Sequence, residues 1–489
     1  MLEEKCELDW KRFTPAEMEQ PARLDPDIRS WSLKHENHRD TAKTFPNFTP
    51  QYSELYRLRL KQLEDSFATS RRIELSKMKE GERCSVIGCL FKIMKSRKSY
   101  VKSIEEGETL KEEPDFDDLQ PRDDDELYIE NSTGKRMLNL EGAELVLEGG
   151  RRIRATIHSL LSGMIVRLDC KLLSENEVQV FEVHLPGIVP FSNPNDTRLP
   201  APKQDNPGIG HLLQKIAAGE RPRLITLVSG VELEASAESL IDDVSLLRDF
   251  LVGNLASDSL TGLLGSIQSV IFTGNFIPSD KKINKQLLRS YEYKDRQQAM
   301  LDKINLGLRA ADELIGALAH RYHVIAMPGQ ADITDAFLPQ NAIPSFCFPI
   351  AKKSGKLTTV SNPACFSLLG REFMITDGTN VQTLLSLSKD LENELDVLEI
   401  TMNARHFAPN CPESSPCFPS HLKDDLVIDS PCHFFICGGA KKFLSHTIQG
   451  QDHSVKLVAV PTFSKTRSVV LLDADSLESY ELTFEAHPN

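Results

Sequence analysis

No stretch of the chain approaches the ~18 consecutive apolar residues of a membrane span, so the sequence offers no transmembrane helix. Residues Met1 to Glu7 are acidic where a secretory signal needs a basic start and an apolar core, and an intracellular protein is expected. Positive charge is scarce: 57 Lys and Arg stand against 71 Asp and Glu, a net charge of −14. That balance opposes sequence-independent binding of nucleic acid by the whole surface and suits a basic partner. Paired C-x-x-C knuckles are missing among the ten cysteines. Cys411, Cys417, Cys432 and Cys437 cluster late without zinc-site spacing, and with Cys84, Cys89, Cys170 and Cys347 they read as reduced core residues. The glycines around 263–265 lack the G-x-x-x-x-G-K-[S/T] spacing of a phosphate loop. There is no internal repeat.

What is present is ordinary globular material: 489 residues, 40% hydrophobic and 26% charged, enough for two or three domains. Residues 1–47 are charged and Pro-interrupted and read as a flexible arm. A helix is expected within 48–78, capped by Thr49 with Pro50 at its first position and Leu55, Leu58, Leu63 and Phe67 on one face. Across 79–218 the pattern changes to five short strands, at residues 84–91, 127–129, 137–140, 165–168 and 178–183, which suit a Greek-key barrel such as an OB-fold. A loop at 105–126 interrupts it, twelve of its twenty-two residues being Asp or Glu, and a Pro-rich linker spans 186–207. From 219 to 489 the chain alternates strand and helix. Runs at 224–228, 269–273, 324–327, 433–437, 455–460 and 468–472, with a helix over 300–322, give a mixed α/β body after the barrel.

Few groups point to chemistry. Asp123–Asp125, Asp242-Asp243 and Asp424-Asp425 could act as paired carboxylates, but loop or helix-start acids explain them more simply. Asp473-Ala474-Asp475 reads as a turn after a strand. Lys92, Lys95, Arg97, Lys98 and Lys102, with Tyr100, form a basic patch that could meet a nucleic-acid backbone; charge balance for the neighbouring acidic loop is the reading preferred.

The body strands end in small-residue turns: Ser229-Gly230-Val231, Gly274-Asn275, Gly329-Gln330-Ala331-Asp332 and Gly438-Gly439-Ala440-Lys441. Strand carboxyl ends are where α/β sheets build sites. This succession resembles the calcineurin-like metallophosphoesterases, an α/β sandwich family whose strand ends carry D-x-H, G-D, G-N-H-D/E and G-H-x-H. Two divalent ions there need carboxylate and imidazole ligands, one carboxylate bridging. By that resemblance Ser229 and Val231 stand where Asp and His belong, and Asn275 replaces the bridging carboxylate. Gln330 and Ala331 replace Asn and His, and Gly439 and Lys441 replace the last two histidines. Asp332 survives without being a principal ligand, and His406 occupies the remaining histidine position. The resemblance therefore implies an inactive phosphoesterase body with no metal and no cofactor.

A barrel followed by such a body resembles the B subunits of replicative DNA polymerases. Phe48-Thr49-Pro50-Gln51-Tyr52-Ser53-Glu54-Leu55-Tyr56, Val86–Lys92, Ile271–Asn275, Met327–Asp332, Leu338-Pro339-Gln340, Arg405–Pro412 and His433–Gly439 are most similar to the small subunit of DNA polymerase delta. The resemblance covers roughly 48–475 and departs at Gly439-Ala440-Lys441 and in the acidic loop. It implies a nuclear, non-catalytic scaffold in DNA replication and repair synthesis. Its partners would be the cysteine-rich C-terminal domain of the catalytic subunit, a further small subunit and, through partners, the sliding clamp. DNA would be met weakly or through the complex. The alternatives are the equivalent small subunit of polymerase alpha or epsilon, or a free-standing OB-fold protein that stacks single strands on Phe91, Tyr128 and Phe181.

Overall fold

A computed structural model of the chain describes residues 52–484 apart from 68–72, 97–119, 192–205, 234–237, 256–257, 279–292, 420–421 and 451–452. The expected N-terminal arm, the caps Thr49 and Pro50, most of the acidic loop, most of the Pro-rich linker, and Arg97, Lys98, Tyr100 and Lys102 lie outside the described residues.

The N-terminal helix α1 spans Tyr52–Leu63. Leu55 and Leu63 are buried as its apolar spacing requires, but the third buried position on that face is Arg59, at 0% exposure. Seven strands then form one sheet: β1 Arg83–Ile93, β2 Glu126–Asn131, β3 Gly134–Asn139, β4 Glu144–Val146, β5 Arg152–Arg154, β6 Ile165–Ser174 and β7 Glu177–His184. Their order is β3-β2-β1-β6-β7-β4-β5, and a β3–β7 pairing closes the barrel. Five of them fall where alternation placed strands. The short β4 and β5 are additional, because Glu-Leu-Val and Arg-Ile-Arg carry too little pattern to stand out before pairing.

The body begins with α2 (Ile209–Ala217) and β8 (Leu224–Val228), followed by α3 (Glu238–Val252), α4 (Asp258–Ser266) and β9 (Ile267–Thr273). Next come α5 (Tyr293–Ala319), β10 (His323–Met327), α6 (Pro349–Lys353) and β11 (Leu357–Thr359). A second sheet is built from β12 (Ala364–Leu368), β13 (Arg371–Thr376), β14 (Phe434–Ala440), β15 (Leu444–Gln449) and β16 (Ser454–Pro461). Helices α7 (Thr379–Ser386) and α8 (Glu394–Asn403) lie between β13 and β14 in the chain, and α9 (Phe463–Thr466), β17 (Ser468–Asp473) and β18 (Ser479–Thr483) close it.

The sheets run β11-β10-β9-β8-β17-β18 and β12-β13-β14-β16-β15. Residues facing alternately along each strand assign the layers. Ile225, Leu227, Ile271, Phe373, Phe434 and Val458 meet between the sheets, where Phe373 stacks on Phe366 and Phe434. Leu224, Val228, Val270 and Phe272 face the first helical layer. Each such side chain fully buried contributes roughly 1.5–3 kcal/mol. On the far face of the second sheet, Met374, Phe435, Leu398 and Met402 share one continuous core with the barrel residues Val86, Leu168 and Val183. The barrel is thus packed against the body. Among the described residues no helix is long and apolar enough to cross a membrane.

Candidate functional site at the strand ends

The parallel run β8, β9 and β10, with β13 and β14 of the facing sheet, brings five strand ends together. Three turns there take left-handed backbone: Gly230 (φ 60), Gly274 (φ 89) and Gly439 (φ 66). Asn275 does the same at φ 52, which asparagine tolerates better than most residues. The Gly230 N–H donates to the Gly274 carbonyl at 2.9 Å, and the Glu232 N–H to that of Asn275 at 3.0 Å.

Side chains lace these loops to one another. Ser229 Oγ accepts from the Gly439 N–H at 2.8 Å, and Asn275 Oδ1 accepts from the Ala331 N–H at 3.2 Å. Asp332 Oδ1 accepts from the N–H groups of Phe276 (2.8 Å) and Ile277 (3.1 Å), while its Oδ2 accepts from that of Gly329 (2.8 Å). Burial raises the Asp332 carboxyl to about 7, against the pull of those three donors. Asp377, which follows β13, is a participant that the strand-end motifs do not mark. Its Oδ2 accepts from the Gln330 N–H at 3.1 Å and from the Thr379 hydroxyl at 2.6 Å. The strand-final Asp377-Gly378 pair is the signal that could have found it. Gly378 (φ 91) sits so close to β14 that a Cβ would lie 2.0 Å from the Gly438 carbonyl oxygen.

Ser229, Asn275, Gln330, Ala331, Asp332 and Gly439 therefore meet at one place. Val231 does not join them; it is buried in the core beneath the first helical layer. Lys441 is exposed beyond β14.

His406 belongs to a different arrangement. Its Nδ1 accepts from the Ala408 N–H at 3.1 Å and its Nε2 donates to Asp424 Oδ2 at 3.0 Å, so both ring nitrogens are engaged. Asp424 is not the solvated loop acid its neighbourhood suggested. It is 2% exposed and also accepts from Arg59 Nε at 2.7 Å. Burial would raise its carboxyl, but Arg59 and then His406 outweigh that and hold it well below the usual range. Arg59 also donates to the carbonyls of Gly163 (2.9 Å), Pro409 (2.7 Å) and Cys411 (2.9 Å). One guanidinium so ties α1, the barrel and the body together.

Burial, with Arg59 beside it, lowers the His406 imidazole to about 4. A depressed folded pKa contributes stability that is complete above the unfolded value of about 6.5 and lost as pH falls through 4. Asp332, whose folded pKa is raised, acts in the opposite sense: it loses stability as pH climbs from about 4 to 7. The difference between the native chain and His406→Gln cancels the Asp332 contribution. Urea titrations at several pH values should show that difference shrinking by about 3 kcal/mol between pH 6.5 and 4. A constant difference would mean that His406 does not titrate as its surroundings require.

The remaining candidates are structural. None of the nine described cysteines is in a disulfide; Cys411 and Cys417 lie in one small core, and Cys432 and Cys437 in the core shared with the barrel. Asp243 lies inside α3 and pairs with Arg467 at 2.7 Å, while Asp473 accepts from the Asp475 N–H in the anticipated turn. Of the basic patch, Lys95 lies 3.7 Å from Glu126 in line with charge balance. Lys92 departs from the patch reading: it is 4% exposed, and burial lowers it to about 8. Asp169, Glu182 and His184 cluster on the barrel closely enough to hold a cation. Arg152 already donates to Glu182 at 2.8 Å, and Arg167 lies 3.6 Å from Asp169. The three barrel aromatics each carry a cation on one face: Lys135 Nζ lies 4.2 Å from the Phe91 ring and 4.4 Å from that of Tyr128, and the Arg83 guanidinium 4.2 Å from Phe181. Those contacts compete with base stacking.

Residues 225–445 match the family of DNA polymerase alpha/epsilon B subunits, and residues 51–183 match the DNA polymerase delta subunit OB-fold domain. The chain is similar to the DNA polymerase delta small subunit of Arabidopsis thaliana, 26% identical over 454 residues, covering 90% of this chain and 92% of that one. Its counterpart in Oryza sativa subsp. japonica is 25% identical over 413 residues, with 83% and 85% covered. The DNA polymerase delta small subunit of Saccharomyces cerevisiae is 24% identical over 385 residues, with 73% and 69% covered.

Proposed function

We propose that the chain, whose residues 225–445 and 51–183 match the B-subunit and delta OB-fold families and which is similar over most of its length to delta small subunits, is the non-catalytic scaffold of a nuclear DNA polymerase delta assembly. It holds the cysteine-rich C-terminal domain of the catalytic subunit on one face and a further small subunit on another. The sliding clamp and DNA are reached chiefly through those partners.

The supporting observation is how the strand-end oxygens are used. Two metals need several carboxylates and imidazoles with free lone pairs. Here Ser229, Asn275, Asp332 and Asp377 each accept main-chain N–H groups from a neighbouring loop, and the His406 ring is committed to Asp424 and Ala408. The position that binds metal in a phosphoesterase serves here as a brace between loops. A braced α/β body offers fixed surfaces for permanent interfaces. Apolar groups on the outside suit that use: Phe346 is 76% exposed, Leu422 70%, and the partly exposed rings of Phe337 and Phe418 pack 5.4 Å apart.

Co-expression tests the reading. The chain should co-purify in equal amounts with the C-terminal domain of a delta catalytic subunit, in preference to the alpha and epsilon counterparts, and bring no stoichiometric Mn, Fe or Zn of its own. A partner at ~100 times its dissociation constant should add about 2.7 kcal/mol of stability. Two metal equivalents on the isolated chain with phosphoesterase turnover, or a monomer indifferent to all three domains, would overturn it.

A further inference from the structure

Among the described residues, strand β5 is the last strand of the barrel sheet and is paired on one side only. Its register with β4 sets Ile153 opposite Leu145, and the flanking bonds run from the Leu147 N–H to the Arg151 carbonyl and from the Ala155 N–H to the Ala143 carbonyl. Alternation in an antiparallel pair then turns the main-chain N–H and C=O of residues 151, 153 and 155 toward β4 and those of Arg152 and Arg154 outward. The outer edge presents a short row of donors and acceptors beside an aliphatic side chain, Ile153, that is 40% exposed.

Two clefts adjoin this segment and the residues that follow it. One, of about 360 Å³, has an apolar floor that includes Leu127, Met137 and Ile157, with Glu126 and Glu141 among its walls. The other, of about 300 Å³, lies in the seam between barrel and body, with Leu147, Ile153 and Ile400 below and Asp390, Glu392 and Asp396 around it. Arg154 lines both. Arg151 lines the second but is 2.6 Å from Glu399 and so compensated. The strand itself carries Arg152 and Arg154; Glu144 and Glu182 compensate Arg152, and the carboxylates that line the two clefts outnumber the guanidiniums there.

We propose that this edge and its two clefts form a docking groove for an extended, basic segment of a partner chain. The segment adds as a strand beside β5, sets aliphatic side chains against Ile153 and the cleft floors, and points Lys or Arg at Glu141 and Glu392. Strand addition supplies affinity through the main chain, and alternate side chains supply selectivity. Acid walls exclude a phosphate backbone from the same place. The inference rests on the scaffold reading in supposing a partner; its test does not.

Fluorescence anisotropy on the full chain, at physiological salt, would compare an alternating Lys-Val decapeptide with a lysine-only decapeptide, an alternating Glu-Val decapeptide and a ten-residue oligothymidylate. The Lys-Val peptide should bind at least about tenfold more tightly than any other probe. Ile153→Ser and, separately, Glu141→Lys with Glu392→Lys should each weaken it about tenfold, with melting temperatures unchanged because all three residues sit at the surface. Equal binding of the lysine-only peptide, indifference to the groove variants, or tighter oligothymidylate binding would overturn the groove. A chain that co-purifies with polymerase subunits yet ignores the Lys-Val peptide loses the groove and keeps the scaffold reading.

Discussion

Replacing Arg59 by methionine is expected to cost about 3–5 kcal/mol, the usual range when one partner of a buried ion pair is removed. The loss has two parts. Asp424, 2% exposed, keeps only the neutral His406 ring and its local main-chain donors as partners, so a desolvated charge goes uncompensated. The carbonyls of Gly163, Pro409 and Cys411 lose the donors that join barrel to body. Against a typical stability of about 5–15 kcal/mol this is large, and a melting point lower by roughly 10 °C should follow. Arg59→Lys should restore little, since an ammonium cannot reach four acceptors in the guanidinium's fork. Arg59→Met with Asp424→Leu should recover part of the loss, because the stranded charge is gone. Limited proteolysis gives a second readout, with cutting between α1 and the barrel accelerated in the single variant. A melting point within a degree of the native chain would remove Arg59 as the tie between the parts.

Gly378→Ala is expected to be nearly as damaging, and Gly370→Ala much less so. Both glycines have left-handed backbone, at φ 91 and φ 71. A side chain in that region costs roughly 1–2 kcal/mol by itself. At Gly370 that is the whole effect, since a Cβ there meets nothing within 4 Å. At Gly378 the Cβ would sit 2.0 Å from the Gly438 carbonyl oxygen, main chain against main chain, with no side chain to swing aside. Overpacking adds roughly another 1–3 kcal/mol. The ends of β13 and β14 must separate, taking with them the Gln330–Asp377 and Gly439–Ser229 bonds. Denaturant midpoints for the two variants would measure the difference, and equal midpoints would dismiss the brace as a source of stability. Surfaces built from these loops should lose partner affinity in Gly378→Ala alone.

Much of the fold was legible in the chain. Leu224–Val228 and His323–Met327 are nearly unbroken apolar runs because both faces of each strand are covered, and such runs stand out without knowledge of what covers them. The barrel strands alternate for the complementary reason: one face is wet. The strand-end residues were legible by type, since Ser, Val, Asn and Gly where acids and histidines are expected need no coordinates to notice. Strands β4 and β5 were not legible, being three residues long and held by pairing alone. The use of Asp332 and Asp377 as acceptors for neighbouring loops was equally hidden, because every donor but the nearest lies on another strand end.

The sequence by itself determined the order of strands and helices along much of the chain, the strand-end composition and the acidic net charge, because periodicity, residue type and charge are local quantities. Only the tertiary structure decided that Arg59 on a solvent-like helix and Asp424 in a loop run form a buried pair of charges, 365 residues apart. A charged side chain reads as exposed until something removes its water. What removes it here is the convergence of α1 with the barrel turn at Gly163 and the loop from Pro409 to Cys411, the turn and the loop supplying the acceptors that no neighbouring residue could provide.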